Sequence, residues 1–256
     1  MACILLFILG SIFGSFLNVC IYRLPRGMSI VSPRSHCSSC RHKLAWFENV
    51  PILSFIFLKG RCRNCRRRIS YVYPIVEIIT GFLAVILYTF FGLNLRLLIF
   101  FALFSSLIVA TFIDFEKNEI PDIITLPGII IGLLLSLFFP ELMSKTKSAH
   151  SFFNSVLGII VGGGSLYAVG YLGEIVFKKE AMGGGDIKLL AMVGAFLGWK
   201  IVLLTFFIAP FFGSLAGIIL KIKKGAEIIA YGPYLSLAAF VSLLFGDRLI
   251  GILFLR

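Results

Sequence analysis

Residues 95–139 read LRLLIFFALFSSLIVATFIDFEKNEIPDIITLPGIIIGLLLSLFF. An apolar run over 95–113 gives way to a polar turn carrying Asp114, Glu116, Lys117, Glu119 and Asp122, and a second apolar run follows over 122–139. A helix rises about 1.5 Å per residue, so about 20 apolar residues cross a hydrocarbon core. The stretch therefore reads as two membrane-crossing helices joined by a short turn at one surface.

The same pattern extends in both directions, with apolar spans expected at 3–22, 70–92, 95–113, 122–139, 152–177, 187–199, 201–220 and 227–245. The sixth is short, and the seventh follows after only Lys200. The chain is 59% hydrophobic with a mean hydropathy of +1.01, above the roughly 45–50% apolar content of soluble domains. The expectation is an all-α polytopic membrane protein of about eight transmembrane helices with a small zinc-binding insert. Residues 1–22 form the first helix, 23–69 the insert and 70–256 the helical membrane body. No basic stretch precedes the first span and no small-residue cleavage site precedes Tyr22, so it is expected to be retained and not removed as a signal.

The net charge is +12, and its distribution sets the orientation. Eleven Lys and Arg (Arg23, Arg26, Arg34, Arg41, Lys43, Lys59, Arg61, Arg63, Arg66, Arg67, Arg68) fall in the first loop against one acid, Glu48. Loops on the cytoplasmic side carry the Lys/Arg excess. Counting spans from there puts Lys117, Lys178, Lys179, Lys188, Lys221, Lys223 and Lys224 inside and Arg96, Lys145, Lys147, Lys200, Arg248 and Arg256 outside. Both chain ends are then expected outside. The basic insert suits anionic lipid headgroups and lacks the interleaved aromatics of a nucleic-acid platform, so no nucleic-acid partner is expected. Its apolar segment 44–58 is too short to span; it packs on the membrane surface or fills the insert's small core.

Cys37-x2-Cys40 and Cys62-x2-Cys65 are two hooks separated by 21 residues. Four thiolates at this spacing suit a structural Zn²⁺, which accepts tetrahedral sulfur; a disulfide reading conflicts with a reducing cytoplasm. An insert this small has too little core to fold alone without the metal. His36 and His42 flank the first hook and are expected to be solvated loop residues. Cys3 and Cys20, in the first helix, read as small apolar packers.

Asp114 closes the third span and Asp186 opens the sixth, in MGGGDIK. Two spans lie between them, so the chain returns to the same face. Carboxylates at a hydrocarbon boundary are costly and mark function. A close pair that shares one proton can activate water and protonate a leaving amine, which hydrolyses a peptide bond without a metal or covalent intermediate. Gly183, Gly184 and Gly185 allow a substrate backbone to approach; the competing reading is a flexible turn into the helix with Asp186 as its cap. Asp122, after Pro121, suits a helix N-terminus. Glu77 lies about a turn inside the second span and needs a partner: an insert arginine, a substrate amine or a helix-packing hydrogen bond.

Together these elements resemble the type IV prepilin peptidases of the GxGD class of intramembrane aspartic proteases. The resemblance is carried by GSFLNVCIYRLPRG (Gly14 to Gly27), SHCSSC and RCRNC in the insert, YPIVE (Tyr73 to Glu77), DFEKNEIPD and GGGDIK. It implies Asp114 and Asp186 as the catalytic pair, with Gly183 to Gly185 meeting the Gly-x-Gly-Asp pattern. It implies a substrate of type IV prepilin or pseudopilin precursors, cut before their hydrophobic helix at the cytoplasmic face of the bacterial inner membrane. Members with the cysteine-rich insert are similar in also methylating the new N-terminal amine with S-adenosylmethionine, although no Rossmann-type unit marks a methyl-donor site here. Gly183, Gly184, Gly185 and Glu77 are the candidate substrate-binding residues. The alternatives are a proton-coupled transporter, which would show midplane carboxylates and repeated halves, and a non-enzymatic zinc-ribbon membrane scaffold.

Overall fold

Apolar runs this long have no backbone solution in lipid except helices, because every N–H and C=O must be satisfied within the segment. The computed structural model describes residues 1–140, 148–178, 182–224 and 230–254, with no strand among them. The helices are α1 (Ala2–Arg23), α2 (Leu53–Phe57), α3 (Val72–Phe91), α4 (Leu95–Lys117), α5 (Asp122–Phe138), α6 (Ser148–Phe177), α7 (Gly184–Lys224) and α8 (Gly232–Phe254). Five are long and apolar enough to cross a membrane, and Asp122–Phe138 and Gly232–Gly246 are shorter apolar helices. Since α7 is broken at Gly198 (φ 77°, ψ 171°), the described residues hold eight apolar helical segments besides the short α2, the number expected. Lys145, Lys147, Lys179 and Arg256 of the charge count lie outside the described residues.

Contacts divide the chain into two compact units, Met1–Val109 and Ala110–Arg256. In the first, α1 and α3 run antiparallel at close range. A Cβ on Gly10 would lie 2.8 Å from the Thr80 carbonyl oxygen, and one on Gly14 would lie 2.8 Å from Glu77 Cα. Small residues of this kind let membrane helices approach until their backbones touch. Asn18 Nδ2 donates to the Tyr73 carbonyl at 3.0 Å, and the buried Arg23 guanidinium donates to the carbonyls of Ser29 (2.8 Å) and Pro33 (2.7 Å). Those bonds hold the start of the insert against the end of α1.

In the second unit α6 and the first arm of α7 form the tightest pair. A Cβ on Gly158 or Gly194 would strike the other's carbonyl oxygen, and Ser155 Oγ donates to the Ala195 carbonyl at 2.6 Å. The positive φ at Gly198 reverses the chain there, so that α6 lies along both arms: Gly162 faces Leu190 on one and Val202 on the other. The break expected near Lys200 thus falls at Gly198, which has no Cβ and adopts this φ freely.

Two boundaries move in ways that matter for the site. Helix α4 continues through Lys117 and ends at Asn118, which takes a positive φ of 52° and donates its N–H to the Asp114 carbonyl at 2.8 Å. Asn tolerates this left-handed position at a helix C-terminus. Asp114 therefore sits inside the last turn instead of closing the span at 113. Helix α7 begins at Gly184, which brings Asp186 into its first turn.

Candidate active site

Asp114 is buried at 5% exposure, where α4 is still apolar on its packed side through Ile113. Its Oδ2 accepts the backbone N–H of Gly232 at 2.9 Å. This N–H belongs to the first residue of α8, whose amides have no partner within the helix and are free to bind a carboxylate. A Cβ on Gly232 would lie 2.8 Å from that same oxygen and 2.9 Å from Ile120 Cδ1.

Ile120 links this corner to the second aspartate. Its backbone and Cβ pack on Gly185, where an added Cβ would meet Ile120 Cβ at 2.9 Å and Ile120 N at 3.3 Å. The next residue is Asp186, near enough to Asp114 for the two carboxylates to interact electrostatically, and near enough to Tyr231 to do the same. Asp186 N–H donates to the Gly183 carbonyl at 3.1 Å. Its Oδ1 is buried with no hydrogen-bond partner among the described residues; buried polar atoms without partners are rare, and this one belongs to the second carboxylate of the pair. The fold thus brings together the two aspartates that the sequence places 72 positions apart.

The three glycines before Asp186 divide into two kinds. Gly185 is packed against Ile120, whereas Gly183 and Gly184 are exposed, with no heavy atom within 4 Å of a Cβ built on Gly184. The open backbone that a substrate strand could pair with is therefore Gly183–Gly184. Asp122, the first residue of α5, forms an ion pair with Lys188 at 2.7 Å. Both side chains are largely exposed, so the pair contributes at most about 1 kcal/mol; it ties the start of α5 to the first turns of α7.

Glu77 lies in the other unit. Its Oε2 accepts the backbone N–H of Ile52, in the insert, at 2.8 Å, and Ser15 also hydrogen-bonds it. The partners are thus the insert's backbone and, as the helix-packing reading expects, Ser15 of α1, and not one of the insert's arginines.

The four insert cysteines converge, with all four Sγ within 4.8 Å of one another. Cys37 to Cys65 and Cys40 to Cys62 are each 3.9 Å, against about 3.8 Å between sulfurs placed tetrahedrally at about 2.3 Å from one ion. The two hooks have the same backbone. Cys37 N–H donates to the His42 carbonyl and Cys62 N–H to the Arg67 carbonyl, each at 2.9 Å. Arg41 and Arg66 donate back to Cys37 and Cys62 at 2.9 Å, with positive φ of 56° and 55°. Burial pushes the Cys37 thiol up, but the N–H groups of Cys40 and Ser39 and the neighbouring thiols bring it down to about 6. The Arg67 N–H favours the Cys65 thiolate, yet burial and the other three sulfurs push Cys65 up to about 11. A cation among them would favour thiolate throughout, so this cluster fits a metal ion.

His42 is not simply solvated as expected. Its Nε2 lies 3.2 Å from Glu48 Oε2, which also accepts the Ala45 N–H at 2.8 Å. The Ala45 N–H holds the buried Glu48 carboxyl below its usual value, burial opposes, and His42 assists.

The sequence of residues 8–91 matches the profile of the Bacterial Peptidase A24 N-terminal domain, and residues 101–218 match the Type IV leader peptidase family. The chain belongs to the type IV leader peptidase family. Among the family's curated members, a prepilin leader peptidase/N-methyltransferase of Pseudomonas putida is 33% identical over 94% of this chain and 90% of its own length. The same-named protein of Myxococcus xanthus is 40% identical over 87% of this chain and 64% of its own length. That of Neisseria gonorrhoeae is 32% identical over 91% and 87%. No solved structure matches the chain.

Tyr231 and Gly232 lie beside the two aspartates and are the residues of this corner that sequence reasoning passed over. The signal is present in AYGPY: Pro233 at the second position of an apolar helix marks a helix N-terminus, so α8 starts at Gly232 and not at 227.

Proposed function

We propose that this chain is a membrane aspartic endopeptidase that removes the short basic leader from type IV prepilin-like precursors and then N-methylates the new N-terminal residue. The observation that carries this reading is the convergence of Asp114, Asp186 and the exposed Gly183–Gly184 backbone at one end of the helices. The name its relatives share, prepilin leader peptidase/N-methyltransferase, supports both activities. The precursor's apolar helix enters between helices of the body while its leader stays at the cytoplasmic face, the side that the 18-to-6 Lys/Arg split assigns to the site.

Asp114 and Asp186 share one proton. One takes a proton from water as general base while the other protonates the departing amide nitrogen as general acid. The Gly232 N–H stabilises charge on Asp114, and the unpartnered Oδ1 of Asp186 is the acceptor that meets the water. No metal takes part in this step. Gly183 and Gly184 hold the scissile peptide extended, and Glu77 is kept as a candidate for the substrate amine. Thiolates of Cys37, Cys40, Cys62 and Cys65 would hold a Zn²⁺ that supplies folding energy to the insert. S-adenosylmethionine is the methyl donor, and the amine released by proteolysis is the nucleophile that accepts the methyl group. The basic insert faces anionic lipid, and no nucleic acid is bound.

The test is incubation with a candidate precursor, with and without S-adenosylmethionine, followed by mass measurement of the mature N-terminus. The expected masses are those of the leaderless chain, and of the leaderless chain plus one methyl group when the donor is present.

A further inference from the structure

The apolar stretch of the insert is not a core. Trp46 is 82% exposed, Phe57 81%, Ile56 61%, Leu53 52% and Phe47 45%, and charge borders them: Lys59, Arg61 and Arg63 beside the stretch are exposed. A contiguous apolar surface rimmed by polar groups marks an interaction site.

Its level along the membrane helices says what covers it. Ile52, at the start of α2, is bonded to Glu77, which lies five positions after Val72 and so about 7 Å along α3 at 1.5 Å per residue. Phe55 packs on Tyr71 with ring centroids 5.5 Å apart. Trp46 lines a cleft of about 670 Å³ together with Ile12, Phe16 and Val19 of α1. Phe16 is seven positions before Arg23, about 10 Å along that helix. Trp46 and α2 therefore stand beside the spanning parts of α1 and α3, not above them. The Arg63 guanidinium lies over the Phe47 ring at 5.1 Å, a cation at the edge of the apolar patch.

We infer that residues 46–57 are embedded in the inner-leaflet boundary of the bilayer, with Trp46, Phe47, Leu53, Ile56 and Phe57 among the acyl chains and Arg63 at the headgroups. An apolar face below and basic residues above is the distribution of interfacial segments, and Trp is enriched at this depth. Lipid is the partner, and the segment anchors the insert to the membrane.

The chain has two tryptophans, Trp46 and Trp199, which gives a direct test. The full-length Trp199→Phe variant in lipid nanodiscs reports Trp46 alone, and Phe57→Trp in the Trp46→Phe, Trp199→Phe background reports position 57. With lipids brominated near the top of the acyl chain, emission at each position is expected to fall by half or more, while aqueous iodide has little effect. Emission at either position that ignores the bromines and is quenched by iodide overturns the inference.

Discussion

The backbone N–H of Gly232 donates to Asp114 Oδ2 at 2.9 Å across 118 residues of sequence. This bond fixes one carboxylate of the pair to the start of α8, and the absence of a side chain at Gly232 is what lets it form.

Gly232→Ala puts a methyl group 2.8 Å from Asp114 Oδ2 and 2.9 Å from Ile120 Cδ1. The carboxylate has to move, and a shift of about 1 Å at a reacting group can cost up to about 100-fold in rate. The expected result is a fall in leader removal of at least about tenfold with the protein still inserted, read by precursor cleavage kinetics on purified protein. Gly164→Ala, whose added Cβ meets nothing within 4 Å, is the control.

Gly194→Ala drives a methyl group into the Gly158 carbonyl, backbone against backbone, with no side chain able to yield. Overpacking of this kind costs about 1–3 kcal/mol. Thermal unfolding in detergent should shift to lower temperature, whereas Gly164→Ala, with open space at its Cβ, should not lower it.

The cysteine cluster predicts about one zinc ion per chain under reducing conditions. Chelation, or Cys62→Ser at the buried sulfur, should remove the ion and expose the insert to protease while the membrane helices stay resistant. Metal analysis and limited proteolysis measure both. Zinc-free protein with an equally resistant insert would contradict a structural metal.

Glu48 gives the insert a pH dependence of known sign. Its carboxyl titrates below its ordinary 4.5 because of the Ala45 N–H, then His42, against the opposing effect of burial. A lowered carboxylate contributes stability that is complete above the ordinary value and is lost as pH falls through the folded one. Hydrogen-exchange protection of the Ala45 amide, corrected for intrinsic rate, should collapse in that acid range, and Glu48→Gln should show weak protection at every pH.

The sequence carried the helices well because in lipid an apolar run of span length has to be a helix. The four-cysteine cluster was also legible, since two short hooks suit one ion almost independently of their surroundings. Boundaries were less so. Asp114 sits within α4 because Asn118, a residue that accepts positive φ, stops the helix a turn later than the polarity of Asp114 suggests. A helix-packing bond to Glu77 was legible, but the Ile52 main-chain N–H that also reaches it was hidden, because backbone groups carry no residue-type signal. Gly232 was missed for the same reason: its contribution is an amide and an absent Cβ, joined to Asp114 only by the tertiary fold.

The most direct test of the account is leader removal by Asp114→Ala and Asp186→Ala, each purified from membranes and shown to be folded. If the two carboxylates act as one unit, either change alone removes nearly all activity, a loss of about a thousandfold or more, and the double change costs little further. Cleavage that survives both single substitutions would contradict it.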